Sequence, residues 1–142
     1  MTTTPPVSAA RVQACRDEIA AQIRAYRDLV GAASKASGMS LTRIDAALAA
    51  FEPAFFNNLL IALDARFAGR PADAGPIAEV RALAAALRDN GGVLAGAGDV
   101  PYDADASVLR IDIGERIALN ADDFEALCAA FLAQIERSST AA

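Results

Sequence analysis

The sequence predicts an α+β domain that is predominantly helical, with about four to five helices packed against one C-terminal β-hairpin that leads into a final helix. Three features carry this expectation. Long stretches place apolar residues three and four apart, a single short stretch alternates apolar with polar, and Gly, Pro, Ser and Asn punctuate the boundaries. A chain of 142 residues suits one domain. Its expected extent is 8–137, between flexible tails at 1–7 and 138–142.

The first helix is expected from Ser8, a good N-cap, to about Ser37. Val12, Cys15, Ile19, Ile23, Tyr26, Val30 and Ala33 fall on one stripe. The spacing also suits a coiled-coil seam, which its small residues weaken. Gly38 stops this helix and Ser40 caps the next, for which Leu41, Ile44, Leu48 and Phe51 are the expected buried positions. Pro53 either opens a third helix or lies within one continuous helix. In FFNNLLIALDARF, Phe56, Leu60, Leu63 and Phe67 share a face, which marks the central core helix. Pro76 opens a further helix carrying Ile77, Val80, Leu83, Ala84 and Leu87, ended by Asn90 and Gly91.

Gly91 to Ala106 reads as an ordered loop. Leu109, Ile111 and Ile113 then alternate with Arg110 and Asp112. A turn at Gly114-Glu115-Arg116 would pair Ile113 with Ile117 and Ile111 with Leu119 in a hairpin. Asn120 caps the last helix, whose first turn holds Asp122 and Asp123 and whose core positions are Phe124, Leu127, Cys128, Phe131, Leu132 and Ile135.

Composition narrows the chemistry. There is no histidine, which removes classical triads, HExxH zinc sites and facial iron triads. Cys15 and Cys128 fall in separate helices, where thiols behave as small hydrophobes, so no disulfide framework, metal site or cofactor is expected. The net charge of -5 argues against nucleic-acid binding. The N-terminus lacks a signal pattern and the run Leu59 to Leu63 is too short for a bilayer, so no membrane and a cytoplasmic location are expected.

Two loops carry residues of ligand-site type without the full pattern of one. GGVLAGAGDV follows a helix and leads toward a strand, the reverse of a dinucleotide fingerprint, and lacks the Gly-Lys pair of a P-loop. Asp103, Asp105 and Ser107 alternate like calcium ligands, but Val108 and Gly114 stand where the glycine and the distal glutamate belong, so Asx-turn capping is the favoured role.

Two sets of residues remain as candidates, and no catalytic residue is assigned. Asn57, Asn58 and Asp64 interrupt the most apolar helix. They either tie helix to loop or form a polar pocket for a small ligand. Arg16, Arg24 and Arg27 belong to a basic N-terminal part: residues 1–43 hold six basic and three acidic side chains, the remainder seven and fifteen. Such a face docks on the acidic remainder of its own fold, on a sister subunit or on an acidic protein partner.

FFNNLLIALD, AEVRAL and SVLRIDIGERIAL leading into DFEALCAAFLAQIE together resemble short actinobacterial proteins of unknown function, from about Phe55 to Arg137. The chain departs from that group at ALDARFAGR, where more aromatic and histidine residues are expected. The resemblance implies an autonomous small protein and supplies no activity. The leading expectation is a noncatalytic interaction protein, a regulatory or adaptor subunit that binds a protein partner or itself. The alternatives are a small-molecule binder or minor enzyme built on the Asn57 patch, and an antitoxin or immunity-type partner.

Overall fold

The computed structural model describes residues 7–35, 41–95 and 101–140. Its four α-helices are α1 (Ala9–Ser34), α2 (Leu41–Arg66), α3 (Gly75–Asp89) and α4 (Ala121–Thr140). α2 and α4 each pack on all three other helices, while α1 and α3 flank them. A 3-10 turn, Ala104–Ala106, interrupts the irregular connection between α3 and α4.

Local chemistry sets most helix ends. The Ser8 side chain accepts from Arg11 N–H at the start of α1. Pro76 occupies the first turn of α3, where its missing N–H costs nothing. Asn120 Oδ1 accepts from Asp123 N–H at 2.7 Å to open α4, which continues to Thr140, past Arg137. Helix α2 is continuous, with Pro53 inside it. The expected tail at 1–6, the Gly38 stop, the Ser40 cap, residues 96–100 of the glycine loop and residues 141–142 lie outside the described residues.

The core is one cluster. Val12, Cys15, Ile19, Ile23 and Tyr26 of α1 meet Phe56, Leu60, Leu63 and Phe67 of α2, Ile77, Val80 and Leu83 of α3, and Phe124, Leu127, Cys128, Phe131, Leu132 and Ile135 of α4. Phe56 packs on Phe124 and Phe67 on Phe131, each at 5.5 Å between ring centroids. Burying these side chains at about 1.5–3 kcal/mol each is the main stabilising term.

The expected hairpin does not form, and the fold is all-helical rather than α+β. Gly91 and Gly92, both with positive φ, turn the chain after α3 so that the next residues double back. Leu94 N–H then donates to Glu115 O, Gly114 N–H to Leu94 O, and Ile117 N–H to Gly92 O. Val93 and Arg116 form a single antiparallel bridge, and no longer strand occurs among the described residues. The segment 114–117 therefore pairs with 92–94 and not with 109–113. Arg110 adopts φ 55° and breaks the extended run, and Ile113, which the expected hairpin would pair with Ile117, is 58 % exposed. Ile117 and Leu119 are buried as expected.

Candidate functional site

Asn57 stands beside the segment that replaces the hairpin. Its Nδ2 donates to Ile117 O at 3.1 Å and its Oδ1 accepts from Leu119 N–H at 3.2 Å, so the amide satisfies two backbone groups as a neighbouring strand would. Asn58 points to the exposed side of α2. Asp64, only 4 % exposed, accepts from Arg81 Nε at 2.9 Å and from an Arg88 terminal nitrogen at 3.2 Å. Arg81 also donates to Arg70 O and Phe67 O, so this buried network staples α3 to the end of α2. The three residues are not brought together: one faces 117–119, one faces solvent and one faces α3.

The basic residues of α1 behave differently from one another. Arg16 pairs with Glu136, and Arg27 reaches Asp122 and Glu125. Glu125, then Asp122, holds the Arg27 guanidinium above its ordinary pKa. Both arginines thus dock α1 on the acidic α4 of the same chain. Arg24 is exposed and forms no ion pair with another described residue.

A cavity of about 250 Å³ opens between the start of α3 and the 3-10 turn, lined by Asp73, Glu79, Tyr102, Asp103 and Ser107 among others. It is smaller than the roughly 300–1,000 Å³ typical of ligand pockets. Most of its polar groups are engaged within the chain. The buried Glu79 carboxylate accepts from Val108 and Leu109 N–H, Tyr102 donates to Ile111 O, and Asp103 accepts from Asp105 N–H in an Asx turn. Burial raises the Tyr102 pKa, and the nearby Glu79, Asp112 and Glu115 carboxylates add to the rise.

The other departure from a closed globule is at the far end of the α1–α2 pair. Glu52 Oε2 accepts from Ala121 N–H and Arg27 holds Asp122, so α4 begins level with Glu52 and Arg27. Beyond that level the ends of α1 and α2 run on as a two-helix overhang. The α1 core stripe continues into it, but Val30 is 37 % and Leu29 49 % exposed. On α2, Ile44 and Leu48 are only half-buried and Phe51 is 43 % exposed, which corrects the expectation that these positions are covered. Ala46, Ala47, Ala49, Ala50 and Ala54 are exposed as well, and Glu52 is the one charge between Ala46 and Leu63.

An aromatic ladder forms the base of this surface. Phe51 stacks on Phe55 at 5.3 Å, Tyr26 stacks on both, and Phe56 meets Tyr26 edge-on at 5.0 Å. Burial, reinforced by Glu52, raises the Tyr26 pKa. The stretch Thr42–Arg66 is long and apolar enough to cross a membrane; its most apolar 18-residue window has a mean hydropathy of 1.5 and is 17 % buried. Its second half, with Phe56, Leu60, Leu63 and Phe67, is built into the core. Sequence periodicity showed that the overhang is apolar; it carried no signal that no described residue covers it.

No protein-family model, no curated protein and no solved structure matches this chain.

Proposed function

We propose that this chain is a noncatalytic interaction protein that docks through the apolar α1–α2 overhang. The observation that carries the reading is exposed apolar surface continuous with the core: Val30, with Leu29 beside it, extends the α1 stripe that is buried further down the helix, and Phe51 stacks on the half-buried Phe55 at the flank of the α2 core face. Two helices alone cannot cover both apolar faces of a hairpin, and large contiguous apolar surface on a soluble domain marks a contact site. The absence of histidine, the raised pKa of the buried Cys128 thiol and the internal engagement of most polar groups around the cavity support an adaptor role over a chemical one. A regulatory or adaptor subunit in the cytoplasm fits this reading.

Phe51→Asp tests it. The variant keeps the helical circular-dichroism spectrum and loses association measured by light scattering and by affinity capture. Association unchanged by Phe51→Asp would sink the reading.

A further inference from the structure

The charges around the overhang specify its partner. Its tip carries the exposed Lys35 and Arg43, with Asp45 as the acid beside them. Its base carries Asp122, Asp123 and Glu125 at the start of α4, together with Glu52; the Asp122 side chain stays 90 % exposed even while it accepts from Arg27. Arg24 and Asp28 lie near the base and offset each other. Between tip and base the surface of Leu29, Val30, Ala47, Ala50 and Phe51 is uncharged.

We propose that a second copy of this chain covers the overhang, the two hairpins packing antiparallel about a twofold axis so that each Lys35/Arg43 tip meets the partner's Asp122/Glu125 base. The proposal rests on the reading of the overhang as a docking surface. An isologous contact requires a self-complementary patch. A basic tip and an acidic base, separated by an uncharged middle, are self-complementary only when antiparallel; a parallel arrangement would stack tip on tip and base on base. From Arg27 to Lys35 the helix advances about 12 Å, so the axis falls near Val30 and Ala33. Packing the two overhangs together converts a two-helix hairpin into a four-helix bundle. Alanines on the outer face of α2 allow close approach of helices. An anionic bilayer would attract the tip, but Asp122, Asp123, Glu125 and a net charge of -5 oppose it.

Sedimentation equilibrium of the full chain at low salt tests the arrangement. The wild-type protein is a dimer, and Phe51→Asp is a monomer. The double variant Lys35→Glu/Arg43→Glu, and separately Asp122→Lys/Glu125→Lys, each dimerises about tenfold more weakly or worse. A one-to-one mixture of the two double variants recovers wild-type affinity, because an acidic tip then meets a basic base and the reverse. A wild-type dimer that neither double variant weakens overturns the antiparallel pairing. A wild-type monomer that binds anionic vesicles, or captures another protein, in a Phe51-dependent way overturns self-association and leaves the docking surface standing. A monomer whose contacts are indifferent to Phe51→Asp overturns both.

Discussion

Phe51 stacks on Phe55 with ring centroids 5.3 Å apart, yet 43 % of Phe51 faces solvent, whereas Phe56 one step further along is fully buried. Within five residues α2 passes from overhang to core. The aromatic ladder therefore joins the apolar overhang, the docking surface proposed above, to the body of the fold, and the two can be separated by substitution.

Phe51→Asp removes a half-exposed ring and its stacking, worth about 0.5–1.5 kcal/mol of monomer stability. Phe56→Ala at the neighbouring buried position costs about 3–5 kcal/mol. Urea unfolding distinguishes them: the first shifts the midpoint slightly while ending association, and the second destabilises the fold itself.

Asn57→Ala leaves Ile117 O and Leu119 N–H without their amide partner inside the fold. Each unsatisfied buried group costs about 1–3 kcal/mol, so a loss of roughly 2–4 kcal/mol is expected in urea unfolding. Unchanged stability would contradict the strand-mimic role.

Two glycines should respond to alanine in opposite directions. Gly75 has φ +74° and an added Cβ would lie 3.0 Å from Gln134 Oε1, the atom that accepts from Ile77 N–H to cap α3. Gly75→Ala should cost about 1–3 kcal/mol. Gly31 lies within α1 with nothing within 4 Å of an added Cβ, so Gly31→Ala should stabilise by about 0.5–1 kcal/mol. Thermal melts of the two variants on either side of wild type would bear this out; a shift in the same direction would not.

Alkali should unfold the protein early. Burial raises both tyrosines above 10.0 and Cys128 above 9.0. Because the folded state holds these protons more tightly than the unfolded state, their stabilising effect is complete below about pH 9. It is lost as pH rises from the unfolded values toward the higher folded ones. The urea midpoint should fall from pH 9 upward, and Tyr102→Phe should flatten part of that slope while lowering stability at neutral pH through the lost bond to Ile111 O. A midpoint independent of pH between 8 and about 11 would refute the assignment.

Three helix starts and one helix end were legible because caps are local: Ser8, Pro76 and Asn120, and Asn90, announce their positions within a few residues of sequence. The hairpin was misread because alternation at Leu109, Ile111 and Ile113 names no partner, and the true partner of 114–117 is Val93–Leu94, delivered by the Gly91–Gly92 turn from the other side of the loop. A period of two establishes sidedness, but pairing is a non-local matter. The same limit applies to the site. Asn57 and Asp64 were recognisable as residues needing partners, while the partners, 117–119 and Arg81 with Arg88, belong to elements far along the chain. The overhang was misjudged for a related reason, since Val30, Ile44, Leu48 and Phe51 carry a core pattern that continues beyond where α4 begins.

The most direct test is hydrogen exchange on the wild-type chain at low and high protein concentration, read over residues 28–34 and 42–52. Those amides should become more protected as concentration rises, while residues 56–66 and 127–135 change little. Equal exchange of the overhang at every concentration, in a protein that stays monomeric throughout, would contradict a docking surface that closes on a second copy.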